Sequence, residues 1–254
     1  MRQWKQFKIK LTTQAPFRIG GVKPIPGTSD IDSPVVRLGD KVVVQGTSLK
    51  GAYRAELERY LIDTYLEKQN KKWKNQWLKP CIPADEKTMS LDEKKLINQG
   101  FYKFSCEYPQ PQGYICPACY LLGARGLVGF VHVPFLNLTK GNAEPLAFIR
   151  KDRVIETSAR GAHGALGKFE AIAEGSVFEG TMNVLIQDDV TGWRLGQKRD
   201  LADSLGDKWL ETNEWNKERI ETELIVNRLQ SIKHLGGYIS KGFGLVTIEV
   251  EQSK

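Results

Sequence analysis

No stretch of this chain approaches the roughly 18–20 consecutive apolar residues of a membrane-spanning helix. Its opening residues, Met1-Arg-Gln-Trp-Lys5, lack the apolar core of a secretory signal. These absences set a cytoplasmic location, with no membrane partner, as the expectation. Cysteine is scarce, with four residues between positions 81 and 119. In a reducing cytosol so few read as metal ligands or buried thiols rather than as disulfides. Histidine is scarcer still: His132, His163 and His234 show no ligand spacing, and no chemistry is assigned to them. There is no P-loop, no dinucleotide-binding glycine fingerprint, no nucleophile elbow and no H-E-x-x-H. Internal repeats and low-complexity tracts are missing too.

What is present is an ordinary globular composition, 254 residues with 41% hydrophobic and 26% charged, long enough for a full core. The net charge of +7 and isoelectric point near 9.1 favour a polyanionic partner, since each neutralised phosphate releases counterions. Solubility alone is the plainer account of the same excess.

Residues 4–12 alternate, with Phe7, Ile9 and Leu11 on one face and Lys8, Lys10 and Thr12 on the other, as in a strand with one buried side. A Gly/Pro-rich loop follows from Ile19 to Gly27. From Thr47 a helix is expected, capped by Thr47 or Ser48, with Leu49, Tyr53, Leu57 and Leu61 along one face. Leu127 to Phe135 reads as a buried strand, and residues 140–170 as a long hairpin or functional loop. Ser176 to Ile186 reads as a strand turning Phe178, Met182, Val184 and Ile186 inward. A second helix is expected over 214–235, striped by Ile225, Leu229, Ile232 and Leu235 and ended by Gly236-Gly237. Leu245 to Val250 forms the last strand. With residues 68–120 set aside as an insertion, the order is β-α-β-β-α-β, an α+β fold of ferredoxin-like or RRM type.

Cys116-Pro-Ala-Cys119 is a C-x-x-C knuckle, a turn that aims two thiolates at one metal. Cys81 and Cys106 are spaced less regularly. Four thiolates would make a closed tetrahedral zinc site of structural role, folding an insertion with little apolar content of its own. A redox C-x-x-C and unpaired buried thiols stay open as alternatives.

The stretch Ile25 to Arg54 carries an acidic pair, Asp30 and Asp32, which flank Ile31 and share one face if the backbone is extended. A local turn of Asp against Ser-Pro is the plainer reading. Basic residues cluster beside glycines: Arg18 with Gly20 and Gly21; Lys50 with Gly51; Arg150, Lys151, Arg153 and Arg160 leading to Gly161 and Gly164; and Lys241 in Gly236 to Gly244. A glycine beside a cation lets a phosphate backbone approach closely. Ser48, Lys50 and Arg54 open the first helix, where an N-terminus favours anions.

Taken in order, these blocks resemble the RAMP superfamily: Gly20-Gly21; Ile31-Asp-Ser-Pro-Val with Gly46-Thr-Ser-Leu-Lys-Gly-Ala-Tyr-Arg54; Asp152-Arg153 to Thr157 with Leu166, Glu170 and Glu174-Gly-Ser-Val-Phe178; and Gly237 to Gly244. The chain is similar to backbone subunits of type III CRISPR effector complexes, in the Csm-three branch of the Cas-seven group. The cysteine-bearing insertion resembles the zinc fingers of the type III-D and III-E versions of this fold, and III-D is the expected subtype. The resemblance implies an RRM-like palm over the single domain 1–254 and a thumb within 140–165. It implies a guide RNA, a complementary single-stranded target RNA and other effector subunits as partners. It places target cleavage on Asp32, with Asp30 beside it, Lys50 as the cation for the developing charge, and Mg²⁺ or Mn²⁺ as cofactor. RNA contacts fall to Arg18, Gly20, Gly21, Ser48, Lys50, Arg54, Arg150, Arg153, Arg160 and Lys241, and structural zinc to Cys81, Cys106, Cys116 and Cys119. Two departures stand out: Arg18 where many relatives carry His, and Lys241 where many carry Arg. Lysine keeps the charge and loses the bidentate fork.

Overall fold

The computed structural model describes residues 1–21, 31–109, 113–150, 165–202, 205–212 and 214–252. The alternating N-terminal segment becomes β1 (Arg2–Thr13), whose buried face carries Phe7, Ile9 and Leu11. Two short strands, β2 (Arg37–Leu38) and β3 (Lys41–Val44), precede helix α1 (Gly46–Tyr65). The inserted segment contributes α2 (Leu91–Asn98), started by a Ser90/Glu93 capping box, and α3 (Pro117–Leu122), buried along its whole length. Then come β4 (Leu136–Lys140), β5 (Ala143–Arg150), β6 (Ala165–Ile172) and β7 (Val177–Asp188). A helix over 217–230, α4, and strand β8 (Val246–Gln252) complete the chain.

The principal sheet runs β8-β1-β7-β4-β3-β2, every pair antiparallel. Its first four strands are, in chain order, the fourth, first, third and second of a β-α-β-β-α-β unit, which is the ferredoxin-like palm. Both helices cover the face that carries Phe7, Ile9 and Leu11. They meet where the Tyr53 hydroxyl donates to the Leu224 carbonyl at 2.9 Å, inside one continuous core. On the open face, Gln6, Lys8 and Lys10 lie beside Asn183, Thr181 and Glu179, with Glu249 and Glu251 from β8. The rings of Trp4 and His132 stand at the end of this row, 4.6 Å apart. Tyr53→Phe leaves the Leu224 carbonyl without its donor in a dry core, so urea unfolding is expected to show a loss of about 1–2 kcal/mol.

Three expectations are corrected. Helix α1 is capped by Gln45, not Thr47 or Ser48, because Gly46 slides under the loop before β4. A Cβ at Gly46 would stand 2.9 Å from the Val133 carbonyl oxygen, and this glycine lets the helix begin early. Helix α4 ends at Gln230, not at Gly236-Gly237, and is π-helical over Ile220–Val226. Ile232 and Leu235 still reach the core, but from a turn that bridges His234 to Leu245. Gly236 serves a close approach instead: at φ +88°, its Cβ would lie 2.4 Å from the Arg18 carbonyl oxygen. Finally, Leu127 to Phe135 supplies only a two-residue strand, Val131–His132, since Gly129 presses its backbone against Leu121 and Leu122. The palm's second strand is β4.

The hairpin expected after residue 140 is present as β5 and β6, in register from Ala143 with Ile172 to Arg150 with Ala165. Its tip, including Arg153 and Arg160, lies outside the described residues, as does Asp30.

Candidate functional site

The four cysteines converge. Cys116 is the N-cap of α3, and Pro117 occupies the first helical position, where its missing N–H costs nothing. That turn aims Cys116 and Cys119 the same way, and the chain brings in Cys81 and Cys106 from either side of α2. All four sulfurs lie within 4.8 Å of one another, buried and not disulfide-bonded. Cys81 Sγ is 3.4 Å from Cys119 Sγ and 3.8 Å from Cys116 Sγ. A tetrahedral zinc with bonds of about 2.3 Å has sulfur–sulfur edges of about 3.8 Å, so donors and spacing both fit. Burial would raise the Cys116 thiol, yet hydrogen bonds from Cys106, Cys119 and Cys81 and the charge of Arg54 pull it well below its ordinary value.

Arg54 reaches the sulfurs while also lining the groove that holds Lys50. Its Nη2 donates to the Cys81 carbonyl at 3.2 Å, to Cys81 Sγ at 3.3 Å and to Cys119 Sγ at 3.5 Å. Its Nε lies 2.7 Å from Glu58 Oε1, one helical turn on. Burial raises the Glu58 carboxyl to about 7, with Arg54 opposing.

The acidic loop lies along the base of the hairpin. The Asp32 amide donates to the Lys168 carbonyl, and the Lys168 amide donates to Asp32 Oδ2, both at 2.9 Å. Residue Ser33 pairs with Phe169 in a parallel bridge, and the Glu170 amide donates to the Ser33 carbonyl at 3.0 Å. Asp32 itself is exposed, and its second oxygen has no partner among the described residues. A clasp that the sequence reading missed holds this loop. Glu170 accepts the Val35 amide at 2.9 Å and both guanidinium arms of Arg37, at 2.6 and 2.8 Å. An acid flanked by Phe169, Ala171 and Ile172 in a strand was the available signal. Hydrogen bonding from Arg37 holds the Glu170 carboxyl below its usual range, against burial. The clasp therefore contributes fully above pH ~4.3 and is lost only as pH falls through the depressed value. Glu170→Gln removes the charge, and exchange of the Val35 amide is expected to quicken roughly tenfold, as loss of one charge-assisted bond implies.

Next to this loop stand the glycines. Gly20 bridges Val35, and the Gly21 amide donates to the Pro34 carbonyl at 2.8 Å; a Cβ on Gly21 would meet the Val35 carbonyl oxygen at 2.7 Å. Arg18 is held between the rings of Phe169 and Tyr238, 5.5 and 5.3 Å from their centroids, and donates to the Ser33 carbonyl at 3.3 Å. The closing turn docks here too, with the Gly237 amide on the Arg18 carbonyl at 2.8 Å and Lys241 4.9 Å over Tyr238. A groove lined by Gly20, Ser48, Gly51, Gly236 and Gly237 runs past the start of α1. Lys50 is exposed on the other flank of α1, in a groove shared with Val128, His132 and Phe135. Arg18, Gly20, Gly21 and Lys241 are thus joined to the Asp32 loop, Ser48 follows through Gly20, and Lys50 stands apart from it. The backbone of Arg150 lies in β5.

A ferredoxin-like palm carrying a paired hairpin, glycine-rich loops along one edge and a buried four-cysteine cluster between its helix and an insertion defines a class of RRM-related proteins. The chain belongs to the RAMP superfamily, whose family model matches residues 10–247. Among solved structures it is similar to a chain of the Type III-B Cmr-beta complex bound to cognate target RNA, with a TM-score of 0.54 and 13% identity. That match covers 99% of this chain and 61% of the other, so the chain spans about three fifths of that neighbour. No curated protein matches. Among the described residues, no helix is long and apolar enough to cross a membrane.

Proposed function

We propose that this chain is a guide-RNA-binding backbone subunit of a type III CRISPR effector complex, working in the cytoplasm, and that it cleaves complementary target RNA with Asp32. The observation that carries the reading is the exposed Asp32 carboxylate, fixed through one oxygen to the hairpin base. Membership of the RAMP superfamily and the likeness to a target-bound type III neighbour support it. The insertion's cysteines favour subtype III-D. Other backbone subunits, a Cas-five-like subunit and the large signalling subunit are the expected partners.

RNA supplies its own nucleophile, the 2′-hydroxyl. The free oxygen of Asp32 takes the 2′-hydroxyl proton, and the same carboxylate would be the protein ligand of Mg²⁺ or Mn²⁺. The ion, when bound, neutralises charge on the phosphoryl oxygens. The 2′-oxygen attacks phosphorus, and the 5′-oxygen leaves and takes up a proton. The products are a 2′,3′-cyclic phosphate and a 5′-hydroxyl. Ser48 and Gly20 line the groove for the guide, with Arg18, Gly21 and Lys241 on the adjoining loops. Lys50, exposed on the other flank of α1, adds a further cation, and Arg150, Arg153 and Arg160 are the remaining proposed RNA contacts. The four cysteines hold one structural zinc.

Affinity purification of the complex should yield RNA of one defined length, and end-mapping of cleaved target should give cyclic phosphate termini. Absence of bound RNA refutes the subunit role. A second reading, a filament subunit that binds guide while sister subunits cut, keeps the same palm; cleavage that persists without Asp32 would favour it.

A further inference from the structure

We propose that Arg54 is a positioning residue of the metal centre: it hydrogen-bonds two of the four sulfurs and ties them to the helix that faces the groove. This rests on the reading of Cys81, Cys106, Cys116 and Cys119 as a tetrathiolate zinc site. Four thiolates around one Zn²⁺ leave two net negative charges, and a buried charge without a partner is strongly unfavourable. The Arg54 guanidinium meets that charge from inside the core, with its side chain 14% exposed and that of Glu58 15%. It reaches Cys81 Sγ, Cys119 Sγ and the Cys81 carbonyl with one nitrogen, and Glu58 fixes its orientation from the other side. The Cys116 amide adds a backbone donor to Cys106 Sγ at 3.4 Å. No other side chain of α1 is hydrogen-bonded to these sulfurs among the described residues.

The placement along α1 gives this contact a consequence. Ser48 and Lys50 lie in the first turn of the helix, on the two grooves, and Arg54 follows one turn after Lys50. A metal that holds Arg54 holds the height and rotation of the turn that presents Ser48 and Lys50. An Arg54 turned outward to a phosphate would leave two sulfurs without their cationic donor. Its role is therefore toward the metal, and RNA feels it only through the helix.

The test uses the full-length chain and its Arg54→Met, Arg54→Lys and wild-type forms, loaded with zinc or cobalt. Arg54→Met is expected to lower zinc affinity about 10–100-fold, the usual effect of removing an outer partner of a ligand. Its cobalt form should show the sulfur-to-cobalt charge-transfer band at longer wavelength, because sulfur lone pairs rise in energy when N–H donors leave. Arg54→Lys keeps the charge without the fork, so it should recover most of the affinity and still shift the band; this variant carries the test if Arg54→Met does not fold. Binding of a single-stranded RNA oligonucleotide should keep its salt dependence in Arg54→Lys and Arg54→Met alike. Unchanged zinc affinity and an unmoved band in both variants would overturn the assignment. So would a salt slope reduced by about 0.7, the share of one single-strand phosphate contact, with the metal site intact. A wild-type chain that binds neither zinc nor cobalt would sink the tetrathiolate reading itself, a result separate from failure of the arginine's role.

Discussion

Within the assembled ribonucleoprotein, Asp32→Asn is expected to lower the rate of target RNA cleavage by a factor of about 10²–10⁴, the range over which a positioned proton acceptor acts. Guide retention and target affinity should stay within about twofold, because base pairing and phosphate contacts elsewhere carry the binding. Asparagine is the informative choice. Its carbonyl oxygen still accepts the Lys168 amide that Asp32 Oδ2 accepts at 2.9 Å, so the loop keeps its place on the hairpin. What disappears is the negative charge on the outward oxygen. Asp32→Ala removes the anchor as well, and should add increased exchange at the Lys168 amide to the lost cleavage. Asp30→Ala is the control for a neighbouring acid. Cleavage that proceeds normally at this subunit's position in the Asp32→Asn complex would end the catalytic assignment. Time courses with end-labelled target, beside filter binding of the same preparations, decide it.

Replacing Cys116 and Cys119 together by serine is expected to take bound zinc from one ion per chain to none and to produce the largest stability loss of any paired substitution here. Structural zinc contributes about 10–16 kcal/mol in small zinc-folded peptides. This chain has a core beyond the insertion, so the effect should appear as collapse of the segment around α3 and a lowered Tm rather than unfolding of the whole palm. The reason for expecting a large effect is placement. Cys116 and Cys119 are buried within α3, and α3 belongs to the same core as Leu49, Tyr53 and Leu57 of α1. Elemental analysis measures the metal and calorimetry the stability. A strong chelator should act in the same direction, and acid should promote release, because ligands must lose protons to bind. A double variant with unchanged Tm would refute a structural metal.

The palm was legible from β1, α1, β7 and β8, because each puts its apolar residues at the period of its own element and all are long. The knuckle was legible because two cysteines three apart share one turn. The limits lay where a residue's task is set by a distant partner. Arg54 looks like a guide-facing cation in sequence, and only the approach of Cys81 and Cys119 from the insertion turns it inward. Arg37 and Glu170 are 133 positions apart and form one clasp. Ile232 and Leu235 continue the helical stripe in spacing, yet they lie past the helix, because pairing of His234 with Leu245 redirects the chain. The start of α1 depended on how tightly Gly46 could pass Val133, which no local propensity encodes.

The open face of the palm has one more implication. Between Gln6 and Thr12 and on the strands alongside, it offers ammonium, carboxylate, amide and hydroxyl groups. Stacking on aromatic rings is how many single-strand readers hold individual bases, and here the rings of Trp4 and His132, 4.6 Å apart, lie at the end of the strands beyond Gln6 and Asn183. Along the paired stretch from Gln6 to Lys10 the groups offered are polar and charged rather than stacking partners. For a guide-binding subunit of the kind proposed, contacts of that sort are compatible with guides of unrelated sequence.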